Sequence, residues 1–338
     1  MGKLTLEKIA ELTGVSRSTV SRVINDHPNV KSEVRERVLK VIAQTGYHSD
    51  PITRLQNNHR SNVLGLLIPQ STQAIFTDPY YLHLIQGITQ TSNIFDYSLS
   101  LFLLHEEKEE DKLYPRILQN QLFDGLITTA IPANHPLILG LLANNIPFVL
   151  IGRHENPQIS FIDVDNLGGA YTATTHLIRT GHQRIATIVG NIKNTASADR
   201  LQGYKNALGD RGYPIDENLI RPGDFTEQSG YEATQKLLPY QPDAIFAASD
   251  TMALGALRAL REAKITVPNE ISVVGFDDLP HAVNANPALT TIRQPVKATG
   301  NLAVELLLDI LSNEYHPPQR IILPTEFVMR ASTSSKTK

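Results

Sequence analysis

The sequence predicts an α/β protein in which a small helical domain precedes two doubly wound parallel-sheet lobes. Two short amphipathic segments open the 338-residue chain, and short apolar runs alternate with amphipathic segments from residue 63 onward. Residues 1–60 carry a formal charge of +4, whereas the remainder carries −7. A basic start on an acidic body is typical of a protein that meets nucleic-acid phosphate at one end.

The stretch "TLEKIAELTGVSRSTVSRVIN" predicts two helices joined by a tight turn. Gly14 can end the first helix in a left-handed conformation, and Ser16 can accept hydrogen bonds from the free N–H groups of the second. A third helix is expected over residues 33–45, capped by Ser32. The apolar residues that should build a common core are Leu6, Ile9, Ala10, Leu12, Val20, Val23, Ile24, Val34, Val38, Leu39 and Ile42.

The outward face of the second helix is polar. Hydrogen-bonding side chains of this kind can read base edges in the major groove, where Arg suits guanine and Asn suits adenine. An ordinary solvated helix surface is the plainer alternative. The residues that share this face are Arg17, Ser18, Ser21, Arg22 and Asn25.

This stretch, followed by "VKSEVRERVLKVIAQTGY", resembles the headpiece of the lac-repressor-type (LacI/GalR) family of transcription regulators. The resemblance implies a helix-turn-helix domain over residues 1–47 that binds double-stranded operator DNA as part of a homodimer. It places Arg17, Ser18 and Arg22 at the principal base-reading positions. The positions that contact phosphates or support the readout are Thr5, Ser16, Thr19, Ser21 and Asn25.

Residues 48–62, "HSDPITRLQNNHRSN", are mostly polar and are expected to form a hinge. In the family this segment folds on operator DNA and inserts a leucine into the minor groove. The present sequence departs from that pattern, because Gln56 stands at the usual leucine position and Leu55 comes one residue early. Either Leu55 is the wedge in a shifted hinge, or the kink is weaker and Gln56 makes polar contacts.

The body of the chain reads as buried parallel strands joined by crossover helices, for example "VLGLLIP", "FDGLITTA", "RIATIVG" and "ISVVGFD". Its length favours two lobes over one core. Resemblance to the family, and to periplasmic sugar-binding proteins of the type I fold, implies how the chain divides. One lobe would comprise residues 63–162 and 293–322, and the other residues 163–292 and 323–338.

Ligands of open α/β sheets bind beyond the carboxyl ends of the strands, so a cleft between two such lobes is the expected effector site. A carboxylate, a guanidinium and aromatic faces suit a sugar. Taken singly, each residue could instead be a surface ion pair, a helix cap or ordinary packing. The residues that match the family's effector positions are Tyr80, Tyr81, Arg200, Phe225, Ser249, Asp277 and Gln294.

Four neighbours of these positions are assigned separately. Asp250 and Asp278 are predicted to be caps or lobe-support residues, and Arg153 and His154 are weaker candidates for effector contacts.

Enzymatic motifs are missing from the sequence. There is no Gly-x-Ser-x-Gly elbow, no phosphate loop and no complete dinucleotide fingerprint. The chain has no cysteine, and the pair His176 and His182 does not have a recognised zinc spacing. We therefore expect no catalysis, no cofactor and no metal.

The expected protein is a dimeric repressor of a carbohydrate-utilisation operon, released from DNA by a small sugar. A corepressor-dependent regulator of nucleoside or purine metabolism and a DNA-tethered carbohydrate-acting enzyme are the alternatives. The first residues do not form an apolar signal region, and no apolar run is long enough to cross a membrane. A cytoplasmic location, on the bacterial nucleoid, is expected.

Overall fold

The computed structural model describes residues 6–24, 30–45, 61–71, 75–76, 78–104, 109–119, 122–129, 135–312 and 317–336. The chain forms two compact units, Met1–Ser61 and Asn62–Lys338, here called the head and the body.

The head contains three helices, α1 (Leu6–Thr13), α2 (Arg17–Ile24) and α3 (Ser32–Thr45). Gly14 has a φ of +68°, and the Val15 N–H donates to the Ala10 carbonyl, so the predicted left-handed end of α1 is confirmed. α3 begins one residue earlier than expected, at Ser32. The core of the head is formed by Ile9, Ala10, Val20, Val23 and Val38.

Two predicted core residues of the head are exposed instead. Leu12 is 51% exposed and Leu39 is 47% exposed. On α1 the buried stripe runs through Thr13, whose hydroxyl donates to the Ile9 carbonyl. On α3 it runs through Val38, and Leu39 is turned about 100° away from it.

The body alternates strands and helices. In chain order these are β1 (Val63–Ser71), α4 (Pro79–Ile94), β2 (Ser98–Leu104), α5 (Glu110–Leu118), β3 (Gly125–Thr129), α6 (Pro136–Ala143), β4 (Phe148–Ile151), β5 (Phe161–Val164), α7 (Asn166–Arg179), β6 (Ile185–Val189), α8 (Thr195–Gly209), β7 (Ile220–Pro222), α9 (Glu227–Leu237), β8 (Ala244–Ala247), α10 (Asp250–Glu262), β9 (Ser272–Val274), α11 (Pro280–Asn284), β10 (Thr291–Arg293), α12 (Val296–Ser312), β11 (Arg320–Leu323) and β12 (Glu326–Val328).

The strands form two parallel sheets and one small ribbon. The first sheet has the order β11-β5-β4-β3-β1-β2, and the second has the order β7-β6-β8-β9. β10 and β12 pair antiparallel. Apolar clusters pack around the strands of each sheet, as expected for doubly wound sheets with helices on both faces.

Two strands of the first sheet extend slightly past the expected lobe limits. β5 belongs to the first sheet and includes Asp163 and Val164, just past the predicted boundary at residue 162. β11 likewise ends at Leu323, one residue beyond residue 322. The lobe limits stay a prediction, but both sheets direct the carboxyl ends of their strands toward loops that carry the candidate site residues.

Candidate functional site

The turn of the head is organised by Ser16. Its Oγ accepts the Thr19 N–H at 3.2 Å and lies 2.8 Å from the Thr19 hydroxyl. The predicted cap of α2 is therefore confirmed, since this bond satisfies a backbone donor in the first turn of the helix. Ser16 and Arg22 are both exposed.

The other predicted DNA contacts are only partly described. Arg17, Ser18 and Ser21 lie along α2, as the pattern required. Four positions lie outside the described residues, namely Thr5, Asn25, Leu55 and Gln56. All of these contacts stay predictions.

Arg200 occupies the centre of the candidate cleft. Its guanidinium is buried and lies 3.6 Å above the Phe276 ring. Nε donates to the Asn166 side chain at 2.9 Å, and Nη1 donates to the Ala248 carbonyl at 2.5 Å. The second sheet contributes β8, which ends one residue before Ala248, and α7 begins at Asn166. Arg200 is thus held rigidly at the carboxyl edge of the second sheet.

Asp277 lies beside this arginine. Its Oδ1 is 3.6 Å from Arg200 Nη1 and accepts the Gln294 amide at 2.5 Å. A φ of +126°, unusual for a residue with a side chain, places Asp277 in the left-handed half of backbone space. The structure therefore brings Arg200, Asp277 and Gln294 together, as the sequence predicted. Burial raises the pKa of Asp277 to about 7, against the opposing effect of Arg200.

The first lobe contributes the start of α4. Asp78 caps this helix by accepting the Tyr80 N–H at 3.0 Å, and Pro79 occupies its first position. Tyr80 and Tyr81 pack edge to face, with ring centroids 5.3 Å apart. Burial, and then the nearby Asp277 carboxylate, raise the pKa of the Tyr80 hydroxyl. The Tyr80 hydroxyl therefore keeps its proton.

Ser249 and Phe225 have local roles in addition to their predicted ones. The Ser249 hydroxyl accepts the Met252 N–H at 3.2 Å and caps α10. Phe225 has a φ of +69° and packs against the apolar cluster of the second lobe. The cap gives Ser249 a structural reason to be a serine, so its effector contact stays a prediction, as does that of Phe225.

The predicted support residues are confirmed. Asp250 accepts the Leu279 N–H at 3.0 Å and the Thr291 hydroxyl at 2.5 Å, which ties α10 to the loop after β9 and to the start of β10. Asp278 binds Arg293 at 2.7 Å and Arg330 at 2.6 Å. These contacts hold the strand-end loop in which Asp277 lies.

Sequence reasoning missed two carboxylates at the site. Burial raises the pKa of Asp78 to about 6, while the hydrogen bond from the Tyr80 N–H and the charge of Arg200 in the second lobe lower it. Asp163 is also buried and accepts the Arg153 N–H at 3.0 Å and the Asn166 amide at 3.0 Å. Asp78 lies in the stretch "TDP" and Asp163 in "FIDVD". These stretches indicate a helix cap and the end of a strand, and they do not indicate a place in the cleft.

Arg153, a weaker candidate, takes part in a contact across the cleft. Its guanidinium binds the Asp199 carboxylate through Nε at 3.2 Å and Nη2 at 2.6 Å. Arg153 follows β4 of the first sheet, whereas Asp199 lies in α8 beside the second. His154 is buried and its ring accepts the Asn156 N–H at 3.0 Å, which fixes the same loop.

Comparisons with known proteins agree along the chain. A model described as bacterial regulatory proteins, lacI family, matches residues 5–50, and one described as a periplasmic binding protein-like domain matches residues 174–333. The HTH-type transcriptional regulator CelR of Thermobifida fusca is 37% identical over 333 residues, covering 97% of this chain and 98% of CelR. The chain belongs to the lacI family. The resemblance predicted from the sequence is thereby confirmed.

Two solved structures of lacI-family proteins match the fold. A complex of the transcriptional regulator CelR with cellobiose has a TM-score of 0.77 and 36% identity, covering 97% of this chain and 99% of that chain. The lac repressor dimer bound to operator and the anti-inducer ONPF has a TM-score of 0.81 and 27% identity, covering 98% and 100%. The predicted fold class is confirmed, and this lacI-family chain is a DNA-binding transcription regulator.

The part of this lacI-family chain that the structure describes offers no metal cluster and no membrane-spanning helix. No group of three or more His, Asp or Glu residues there could hold a metal ion. No helix in the same part is long and apolar enough to cross a membrane.

Proposed function

We propose that the protein is a sugar-responsive repressor. The head of each subunit in a homodimer binds half of an operator through α2, and a sugar bound between the lobes of the body releases the DNA. The residues proposed to read bases are Arg17, Ser18 and Arg22, and those proposed to hold the sugar are Tyr80, Arg200, Asp277 and Gln294.

The observation that carries this proposal is the polar network at the cleft. A carboxylate and a guanidinium lie 3.6 Å apart, with an amide bound to the carboxylate. The carboxylate also acts electrostatically on the Tyr80 hydroxyl of the first lobe. Such a set offers charged acceptors and donors for vicinal hydroxyls, and the two tyrosine rings offer apolar faces for a pyranose ring. CelR, which is similar over nearly the whole chain, forms a complex with cellobiose.

The coupling between cleft and DNA follows from dimer geometry. Two heads reach both halves of a near-palindrome only when their separation matches the operator. Because Arg153 beside the first sheet binds Asp199 beside the second, a sugar that enters the cleft changes how the lobes meet. A change of this kind alters the spacing of the two heads and weakens DNA binding.

The test begins with full-length protein and fragments of genomic DNA from the source organism. Fragments bound at moderate salt are enriched, sequenced and used in binding assays with cellobiose, other sugars and purines. We expect a near-palindromic site whose occupancy falls when one sugar is added. Lack of any sequence preference would overturn the DNA-binding proposal, and tighter binding with a purine would favour the corepressor alternative.

An Asp277→Asn variant tests the assigned cleft. At pH 8, above the pKa of Asp277, it should bind the same operator and lose at least tenfold in sugar affinity, because a charged acceptor of the hydroxyls is lost. The matched control is Asp96→Asn, at an exposed position with a φ of +58° that Asn tolerates. Release of Asp277→Asn protein at the sugar concentrations that release the control would exclude this site. Chemical conversion of the bound sugar would instead support the enzymatic alternative.

A further inference from the structure

A chain of hydrogen bonds runs through the segment that joins the first sheet to α7. β5 of the first sheet ends at Val164, and α7 begins at Asn166. The Asn166 side chain donates to the Asp163 carboxylate at 3.0 Å and to the Val164 carbonyl at 3.2 Å. The oxygen of the same side chain accepts the Nε–H of Arg200 at 2.9 Å. Asn166 therefore joins a strand of the first sheet to the guanidinium at the carboxyl edge of the second.

The partners of Asn166 fix which way its amide points. A carboxylate and a carbonyl oxygen accept hydrogen bonds, whereas a guanidinium only donates them. The amide nitrogen must therefore face Asp163, and the amide oxygen must face Arg200. An asparagine supplies both functions, whereas an ionised aspartate only accepts and a leucine of similar shape does neither. The residue type is thus set by two partners that need opposite groups from it.

This chain is buried along its whole length. Asp163, Asn166 and Arg200 are 7%, 2% and 5% exposed. Asp163 also accepts, at 3.0 Å, the N–H of Arg153 in the loop that follows β4. Because water does not reach buried groups to replace a lost partner, removing one member of the chain leaves the next one unsatisfied. The position of Arg200 therefore depends on contacts that begin in the first sheet.

The contact with Asn166 also decides which groups of Arg200 remain for a ligand. Nε donates to Asn166, Nη1 donates once to the Ala248 carbonyl, and one face of the guanidinium lies on the Phe276 ring. A guanidinium has five N–H groups, so three of them, on Nη1 and Nη2, make no hydrogen bond with a described residue. Because the group is planar and rigid, the bond at Nε helps to set the direction of all three.

We propose that Asn166 is a positioning residue, which holds Arg200 in the orientation that binds the effector and links that orientation to the segment between the two sheets. The proposal rests on the proposed sugar response and adds a residue that acts through Arg200. Both N–H groups of the Asn166 amide are already donated within the protein, so its influence on a ligand passes through the guanidinium.

An Asn166→Leu variant removes both hydrogen-bonding ends of the amide. Full-length protein is titrated calorimetrically with cellobiose and with each sugar that releases the operator. We expect the variant to bind at least about tenfold more weakly than the unmodified protein, because the donors of Arg200 are no longer held in one direction. Operator binding without sugar should be unchanged, which shows that the variant is a folded dimer.

The two possible failures of this experiment differ. Equal sugar affinity of Asn166→Leu and unmodified protein would overturn the role of Asn166 and leave the sugar response intact. If the unmodified protein binds no sugar at all, the sugar response itself is wrong, and the positioning role is wrong with it.

An Asn166→Asp variant gives a result that loss of packing alone would not give. The new carboxyl keeps an acceptor for Arg200, but it can hydrogen-bond to Asp163 only while the two carboxyl groups share a proton. Sugar affinity relative to the unmodified protein at the same pH should be nearly equal at about pH 5 and about tenfold lower at about pH 9. This ratio cancels the titration of charged groups that both proteins share, namely Asp199, Arg200 and Asp277. A ratio that does not change with pH would overturn the hydrogen-bonded chain.

Asn218→Asp is the matched control. Asn218 is exposed in the short helical turn before β7, so the same substitution adds a charge to the second lobe without placing it beside Asp163. The affinity ratio of this control should stay near one at every pH. A fall that matches the fall of Asn166→Asp would show that added charge alone weakens sugar binding, and the positioning role would be wrong.

Discussion

At the scale of single residues, several carboxyl groups of the cleft lower the free energy of unfolding. Three of these carboxyl groups, those of Asp163, Asp250 and Asp277, are buried, and that of Asp78 is half-buried. Loss of solvent is the largest influence on the pKa of each. Each is retained by specific hydrogen bonds, such as those to Asp163 from the Arg153 N–H and Asn166. These carboxyl groups therefore destabilise the folded body, while their hydrogen bonds hold a fixed set of acceptor oxygens in the cleft.

The effect of Asp78 on stability can be measured from the pH dependence of the free energy of unfolding. Its pKa is raised from 3.8 to about 6, so the folded chain binds more protons at this group than the unfolded chain between those values. Stability from this group is thus fully present below pH 3.8 and is lost as pH rises through about 6. We expect Asp78→Asn protein to be more stable than the unmodified protein at pH 8, by about 1–3 kcal/mol.

The measurement is urea unfolding of both proteins at pH 8, 6.5 and 5. The advantage of Asp78→Asn should shrink at each step toward pH 5, because the carboxyl of the unmodified protein becomes neutral. A constant difference between the two proteins across this range would contradict the raised pKa.

At the scale of elements, helices of the second lobe approach closely through glycines. A Cβ built on Gly230 of α9 would lie 2.1 Å from the Met252 carbonyl oxygen of α10, which is backbone and cannot swing aside. A Cβ on Gly209, at the end of α8, would have no atom within 4 Å. The two positions therefore form a matched pair for testing how tightly α9 and α10 pack.

Gly230→Ala should destabilise the body, because α9 and α10 would have to separate. Overpacking of this kind costs about 1–3 kcal/mol. Gly209→Ala should be neutral or slightly stabilising, since Ala favours helix without a steric conflict. Thermal unfolding of the two variants beside the unmodified protein gives the comparison. Equal midpoints for the two variants would mean that the helices adjust without strain.

At the scale of elements, the sequence predicts local features and does not predict how the elements pack. Gly14 and Ser16 were identified because a left-handed turn and a cap are local features, readable from residue type and position. Leu12 and Leu39 were misassigned because the choice between adjacent positions on a helix depends on how the helices cross. Asp78 was missed because Arg200, whose charge lowers its pKa, comes from a distant part of the chain, and no local pattern relates the two.

At the scale of the whole molecule, the body is joined across its cleft by a small number of polar contacts. The pair of Arg153 and Asp199 has bonds of 3.2 and 2.6 Å, with the Arg153 side chain 44% exposed and that of Asp199 17% exposed. Ion pairs this exposed contribute about 0.2–1 kcal/mol. If the sugar binds the closed arrangement, breaking this pair should weaken sugar binding by at most about fivefold.

A double-mutant cycle measures that contribution. Arg153→Gln and Asp199→Asn should each weaken sugar binding about two- to fivefold, and the double variant should be no weaker than the worse single variant. Calorimetric titration of the four proteins with the same sugar supplies the cycle. Fully additive losses would show that the two residues act separately rather than through their mutual contact.

The coupling between cleft and operator must also be reciprocal. If a sugar lowers operator affinity by some factor, saturating operator must lower sugar affinity by the same factor, typically 5- to 150-fold, or about 1–3 kcal/mol. We therefore expect sugar titrations of free protein and of the operator complex to differ by the factor seen when operator is titrated with and without sugar. The Asp277→Asn variant should lose both effects together, because it removes the sugar's hold on the body without altering α2. Equal sugar affinities for free and operator-bound protein would contradict allosteric release, and the sugar would then have to act by competing with DNA or through another protein.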